Sequence, residues 1–291
     1  MAIQADGRIV LAGYANVAGH SDDFAIARLL TDGSLDTSFN SSGMATVSFD
    51  LGGIGARDHA NSVAIDSQQR IVLGGIADAG SVQYDFVVAR LLPDGQLDPA
   101  FGSDGRVSVP FDVGQSHDDQ ALAMRVLHDD AIVLAGFADT SSTATPNRDI
   151  ALARLLEDGT PDAGFGDGGR VLIPVDLAAN GDDEAKALIE LDDGKLLVVG
   201  AAFAGGGFSE GVAVRLNADG SFDPGFGTNG RQLYDFFPST PPYGGQRLLG
   251  IAVHGPWVYA SAWVLSHEIT QEEVMIRLQG DGIFIDGFDG E

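Results

Sequence analysis

Three sets of side chains in this 291-residue chain could do chemistry. The first joins imidazole to carboxylate. Asp58-His59, His117-Asp118-Asp119 and Asp182-Asp183-Glu184 each stand just before an apolar run, and His20 precedes Ser21-Asp22-Asp23. Histidine beside acids is the ligand set of a metal centre or the pair needed for general acid–base catalysis. The rival reading is that Asp and His start strands and close turns there. The second set is the turn Asn217 to Asp223, NADGSFD, whose oxygens at Asn217, Asp219 and Asp223 loosely follow a calcium loop. Asp-Gly is also the ordinary hairpin turn, so calcium is the one candidate cofactor and a plain turn stands against it.

The third set is a row of arginines, Arg28, Arg90, Arg154, Arg215 and Arg277, spaced 62, 64, 61 and 62 residues apart. An acid lies five residues before each: Asp23, Asp85, Asp149, Glu210 and Glu272. An offset of five along a strand puts the two side chains on opposite faces. The expected partner is therefore the acid of the following D-G-x-x-D turn: Asp36, Asp98, Asp162 or Asp223. An arginine written into every repeat reads as a structural tie between strand and connector, half-buried, paired and hydrogen-bonded.

The elements that carry these residues repeat with the same period of about 62 residues. In the second unit Gly43 to Asp50, Asn61 to Ile65, Arg70 to Ile76 and Asp85 to Leu92 are short, alternating runs bounded by turn residues, and read as four strands. No run keeps a 3.6-residue apolar period, so helices should be rare. Four antiparallel strands per unit predict an all-β fold, a β-propeller of five four-stranded blades in one domain. The units fall at about 1–42, 43–104, 105–168, 169–229 and 230–291. The first lacks its opening strand, and the tail around GIFIDGF, Gly282 to Phe288, is expected to supply it, closing the ring and removing free edges.

Composition narrows the functions. Sixteen Lys plus Arg against 42 Asp plus Glu give a formal net charge of −26. That field repels phosphate backbones and anionic lipid, which argues against nucleic-acid and membrane partners. No apolar stretch reaches the roughly 18 residues of a membrane span, and no signal peptide is visible at MAIQADGRIV. With no Cys, disulfides and thiolate metal sites are excluded. Glycine-rich stretches such as Gly200 to Phe208 lack the Lys-Ser/Thr of a phosphate loop. Tyr234, Phe236, Phe237, Tyr243 and Trp257 crowd the divergent fifth unit, where packing is the preferred reading over a carbohydrate or protein contact.

The succession DGRIVLAG, DFAIARL, DGSLDTSFNSSG, repeated along nearly the whole chain, resembles the delta-60 repeat family of bacterial proteins. The closing IFIDGFDGE resembles a tail found on some bacterial exported proteins. The resemblance implies a propeller-type repeat and an exported or cell-surface location. It implies no shared activity. What stands out is repeated in each unit, whereas an active site needs unlike residues converging once. The first functional expectation is therefore a monomeric, non-enzymatic binding or surface-scaffold protein with a protein or glycan partner. The alternative is a metal-dependent hydrolase or lyase on the His/Asp-rich face, which would need His20, His59 and His117, or their neighbouring acids, close together.

Overall fold

A computed structural model describes residues 1–18, 21–53, 56–80, 83–142, 147–178, 181–234, 245–254, 257–265, 271–279 and 282–284. Among the described residues the alternating runs form twenty strands in five antiparallel sheets of four. The first sheet is β1 (Ala2–Ile3), β2 (Ile9–Asn16), β3 (Asp22–Leu29) and β4 (Met44–Val47). The second is β5 (Asp58–Ile65), β6 (Ile71–Gly80), β7 (Gln83–Leu91) and β8 (Arg106–Val109). The third is β9 (Gln120–Val126), β10 (Ile132–Asp139), β11 (Arg148–Leu155) and β12 (Arg170–Ile173). The fourth is β13 (Asp183–Glu190), β14 (Leu196–Gly205), β15 (Phe208–Leu216) and β16 (Arg231–Tyr234). The fifth is β17 (Gln246–His254), β18 (Trp257–Leu265), β19 (Gln271–Gln279) and β20 (Gly282–Phe284). Among the described residues the one helical element is a short turn at Phe39–Ser41, and no helix is long and apolar enough to cross a membrane.

Every sheet is a run of consecutive strands, as in a propeller blade. The first strands of successive sheets lie side by side, β5 against β9, β9 against β13 and β13 against β17. Because side chains alternate along a strand, the inner sheets feed two cores at once. Ile71 and Leu73 pack toward the first sheet with Val10, Phe24 and Phe39, while Val72 packs toward the third with Ile132 and Leu134. Two more cores join the third sheet to the fourth and the fourth to the fifth. Among the described residues no buried cluster joins the fifth sheet to the first. Their outward faces accordingly carry exposed Leu11 and Met44 on one and Leu249 and Met275 on the other.

Two expectations about the ring are corrected. The opening strand of each sequence unit pairs with the sheet before it: Met44–Val47 completes the first sheet by pairing with β3, so sequence units and sheets are out of phase. Gly282–Phe284 does not complete the first sheet but pairs with β19. The reason is that the place beside β3, where an opening strand sits, is held by β4. Residues 285–291 lie outside the described set.

The connectors explain why the period is so regular. The Asp-Gly turn places Gly95 at φ 93° and Gly159 at φ 86°, a region where glycine meets no steric cost. Each turn carbonyl accepts an N–H from the connector of the preceding repeat: Asn40 N–H to Asp94 O at 2.8 Å, Gly102 N–H to Asp158 O at 2.9 Å, and Gly166 N–H to Asp219 O at 2.8 Å. Beside them Phe39, Phe101 and Phe165 are fully buried.

A second glycine series works by close approach. The first and second strands of each inner sheet bulge where Gly75, Gly136 and Gly200 pass, and a Cβ on Gly136 would overlap the carbonyl oxygen of Gln120. At the matching Gly13, a Cβ would meet nothing within 4 Å. Gly136→Ala is thus expected to lose about 1–3 kcal/mol of stability through forced backbone shifts, and Gly13→Ala almost none. Urea unfolding of both variants checks this; equal effects would contradict the close-approach argument.

Candidate active site

Asp58, Asp119 and Asp183 enter the first strands of three sheets and are fully buried. Each accepts backbone N–H groups from the turn that leaves the sheet before it. Phe49 donates to Asp58 Oδ2 at 2.6 Å, Phe111 to Asp119 Oδ2 at 2.8 Å, and Val175 and Asp176 to Asp183 Oδ2 at 2.8 and 3.2 Å. Asp119 Oδ1 and Asp183 Oδ1 take further N–H bonds from Asp139 and Phe203. These carboxyls staple one sheet to the next.

Burial pushes all three up to about 6, with like charge from Asp23, Asp85 and Asp149 adding to it and the backbone donors opposing it. For Asp58 and Asp119 the folded value lies above the unfolded one, so the folded chain holds their protons more tightly. Their contribution to stability is complete below the unfolded value of 3.8 and is lost as the pH rises through about 6. Asp139 works outside this window: despite burial, bonds from Ser141 and Ser116 hold it at about 2. Unfolding free energy is expected to fall by a few kcal/mol between about pH 4.5 and about pH 7.5, with Asp119→Asn flattening the slope. Stability that rises with pH across this range would refute the assignment.

The residues singled out from the sequence go to different junctions between sheets. His59 Nε2 lies 3.4 Å from Asp22 Oδ2, and its ring stacks on Tyr14 at 4.0 Å. His117 Nδ1 meets Asp112 Oδ1 at 2.9 Å one junction further on, and His20 lies outside the described residues. Asp118 accepts from Arg148 Nη2 at 2.9 Å, and Asp182 accepts the Arg148 N–H at 3.2 Å. The described histidines therefore do not meet around one metal.

In the NADGSFD turn, Asp219 Oδ1 accepts the Ser221 N–H and hydroxyl at 2.9 and 2.6 Å. Asp223 Oδ2 faces Arg215 Nε at 2.7 Å and Lys195 Nζ at 3.2 Å, and Asn217 Nδ2 donates to Ser221 Oγ at 2.9 Å. The Asp219 and Asp223 oxygens thus meet protein donors, two of them cationic. The arginine row pairs with the acid eight residues on: Arg28 Nε–Asp36 at 2.8 Å, Arg90 Nε–Asp98 at 2.8 Å and Arg154 Nε–Asp162 at 3.1 Å. The Arg28, Arg90 and Arg215 guanidiniums lie over Phe39, Phe101 and Phe226, and Arg277 over Trp257. Tyr234 is buried in the core beside Leu248 and Val264 rather than exposed, while Phe236, Phe237 and Tyr243 lie outside the described residues.

The feature that sequence reading missed is a polar pocket of about 340 Å³ lined from the third, fourth and fifth sheets. Arg148, Asp182, Asp183, Glu184, Ser209 and Arg247 supply its polar wall, with Phe203 and Phe208 as aromatic surface. Arg148 lies over the Phe137 ring at 4.5 Å. Glu184 holds Lys186 Nζ at 2.9 Å and faces Arg247 Nη1 at 3.8 Å. The strand registers make Arg148 the counterpart of Asp22, Tyr84 and Ser209, and Glu184 the counterpart of His59, Gln120 and Arg247. These are the positions where the repeat stops repeating. A larger cavity of about 560 Å³ beside Val175, Leu177, Phe222 and Leu233 has Arg231 but, among the described residues, no carboxylate in its wall and so no acid–base pair.

Comparison with known proteins agrees with the architecture. No curated protein matches the chain. Among solved structures, a polysaccharide lyase of the PL25 family, an ulvan lyase, superposes with a TM-score of 0.59 at 14% identity, over 98% of this chain and 68% of that one. The same kind of lyase bound to -[GlcA(1-4)Rha3S]- gives 0.58 at 13% identity over the same shares. A protein of unknown function from Dyadobacter fermentans DSM 18053 gives 0.58 at 11% identity, over 100% of this chain and 82% of that one. The likeness is one of fold. It corrects the expectation of a non-enzymatic binding or scaffold protein: polysaccharide lyases are built on such sheets, so repetition is no bar to a single active site. The model of a domain of unknown function, the DUF5122 beta-propeller, matches residues 4–39, 70–101, 129–165 and 191–226, stretches that fall in the first four sheets.

Proposed function

We propose that this protein is a carbohydrate-active enzyme that cleaves glycosidic bonds in an anionic polysaccharide, with its sugar bound in the pocket of Arg148, Glu184 and Arg247. The observation that carries this reading is the makeup of that pocket. In a chain of net charge −26, two arginines, three carboxylates and two aromatic rings meet, with Arg148 and Glu184 at positions where the other sheets hold unlike residues. The guanidiniums suit a uronate carboxylate or a sulfate. Phe203 and Phe208 suit the apolar face of a sugar ring, and Asp182 and Glu184 are the groups placed for proton transfer.

For a uronate the reaction is an elimination. A carboxylate takes the proton at C5, the electron pair forms the C4–C5 double bond, and the C4–O bond breaks. The leaving oxygen receives a proton from the second carboxyl group. Arginine on the sugar carboxylate stabilises the charge that develops in this step. The five sheets are read as five blades around the axis on which the first strands converge, and the substrate places the enzyme outside the cell.

The test is incubation with uronate-bearing, sulfated and neutral polysaccharides. Ultraviolet absorbance of unsaturated uronate reports elimination, and new reducing ends without that absorbance report hydrolysis. Cleavage of an anionic glycan is expected; cleavage of neutral glycans alone, or of none, refutes the proposal.

A further inference from the structure

The junction between the third and fourth sheets holds a second set of acids, one of which, Asp183, also lines the pocket. Asp149 starts the buried part of β11, Asp176 follows β12 in a left-handed conformation at φ 50°, and Asp183 opens β13. One carboxylate oxygen from each of these three lies within 4.8 Å of the other two, the span of two oxygens across an ion at about 2.4 Å. Asp149 and Asp183 are buried, at 6% and 0% exposure, and Asp176 is exposed, so the cluster opens to solvent on one side.

An independent sign points to a missing positive partner. Asp149 Oδ2 accepts the Thr140 hydroxyl at 2.9 Å, but its Oδ1 is fully buried and has no hydrogen-bond donor among the described residues. A buried carboxylate oxygen without a donor is costly, and two further carboxylates beside it raise that cost. A cation relieves all three at once.

We propose that Asp149, Asp176 and Asp183 bind a calcium ion that ties the third sheet to the fourth. The donor set is oxygen only, as calcium requires, and waters complete its six to eight ligands from the open side. The repeat supplies its own comparison. Asp23, Asp50 and Asp58, and Asp85, Asp112 and Asp119, are the register-matched residues at the two preceding junctions, yet among the described residues only the third set converges. At the second junction Asp112 is engaged by His117. At the fourth, the sequence puts Glu210 and Gln246 where Asp149 and Asp183 stand. This site does not depend on the protein being an enzyme.

The test is calorimetric titration of the EDTA-treated full chain with calcium chloride, alongside thermal melts in EDTA, calcium and magnesium. The wild type is expected to take up calcium and to melt several degrees higher with it than with magnesium. Asp176→Asn, at an exposed position, should fold. Losing one negative charge from the cluster, it should melt in EDTA at least as high as the wild type. Its uptake at this site should weaken at least about tenfold, with loss of most of the calcium-dependent rise. No uptake by the wild type overturns the proposal, as does uptake unchanged in Asp176→Asn.

Discussion

Arg90→Met is expected to cost about 3–5 kcal/mol of folding stability. Arg90 is 2% exposed and Asp98 4%. Its Nε binds Asp98 Oδ2 at 2.8 Å, its Nη1 donates to the Glu157 carbonyl of the next repeat, and its guanidinium lies 4.6 Å from the Phe101 ring centroid. Truncation would leave buried Asp98 with the Ala100 N–H on Oδ1 and, for Oδ2, Arg70 Nη1 3.9 Å away, and would deprive the Glu157 carbonyl of this donor. Arg154→Met should cost less, because Arg154 and Asp162 are 13% and 20% exposed and solvent screens what remains. The double variant Arg90→Met, Asp98→Leu should recover much of the loss, since apolar replacements of a whole buried pair are often tolerated. Denaturant unfolding of these variants, with Asp98→Leu alone to complete the cycle, measures the coupling. A single-variant loss below about 1 kcal/mol would mean that the arginine row is decoration rather than a tie.

Glu184→Gln is expected to reduce polysaccharide cleavage by about 10²–10⁴-fold while leaving stability within about 0.5 kcal/mol. The side chain is 23% exposed, and the amide keeps its shape while removing proton transfer. Arg148→Ala should act differently, raising KM on an anionic glycan more than it lowers kcat, because it removes charge recognition rather than acid–base chemistry. His59→Ala is the control: His59 stands at the first junction with Asp22 and Tyr14, away from the pocket. If His59→Ala abolishes cleavage and Glu184→Gln does not, the catalytic centre lies at the first junction instead.

Much of the scaffold was legible in the residues. Alternation of apolar and polar positions specifies strands because successive side chains point to opposite faces, and a period near 62 specifies units of four. The arginine–aspartate pairing also followed from local geometry, since strand, Asp-Gly turn and acid are close in sequence. The acidic site was half legible. Asp23, Asp85 and Asp149 were visible as a row in phase with the arginines, and Asp50, Asp112 and Asp176 stood in phase after each outer strand. Aligning the units on both rows would have flagged the triad.

What the sequence by itself determined is the local vocabulary: strands, turns, ties and their repeat. The tertiary structure decided everything that depends on which strand meets which. Met44–Val47 suits the edge of either neighbouring sheet by its pattern, and only assembly placed it on β3. Asp118 and Asp119 are adjacent and chemically alike, but a one-residue step reverses the face. Asp119 is thus buried as a staple, and Asp118 turns to Arg148. The pocket arises from residues 148, 182–184, 209 and 247, far apart in the chain and individually ordinary. Strand pattern encodes burial and period, and carries no information about convergence between sheets.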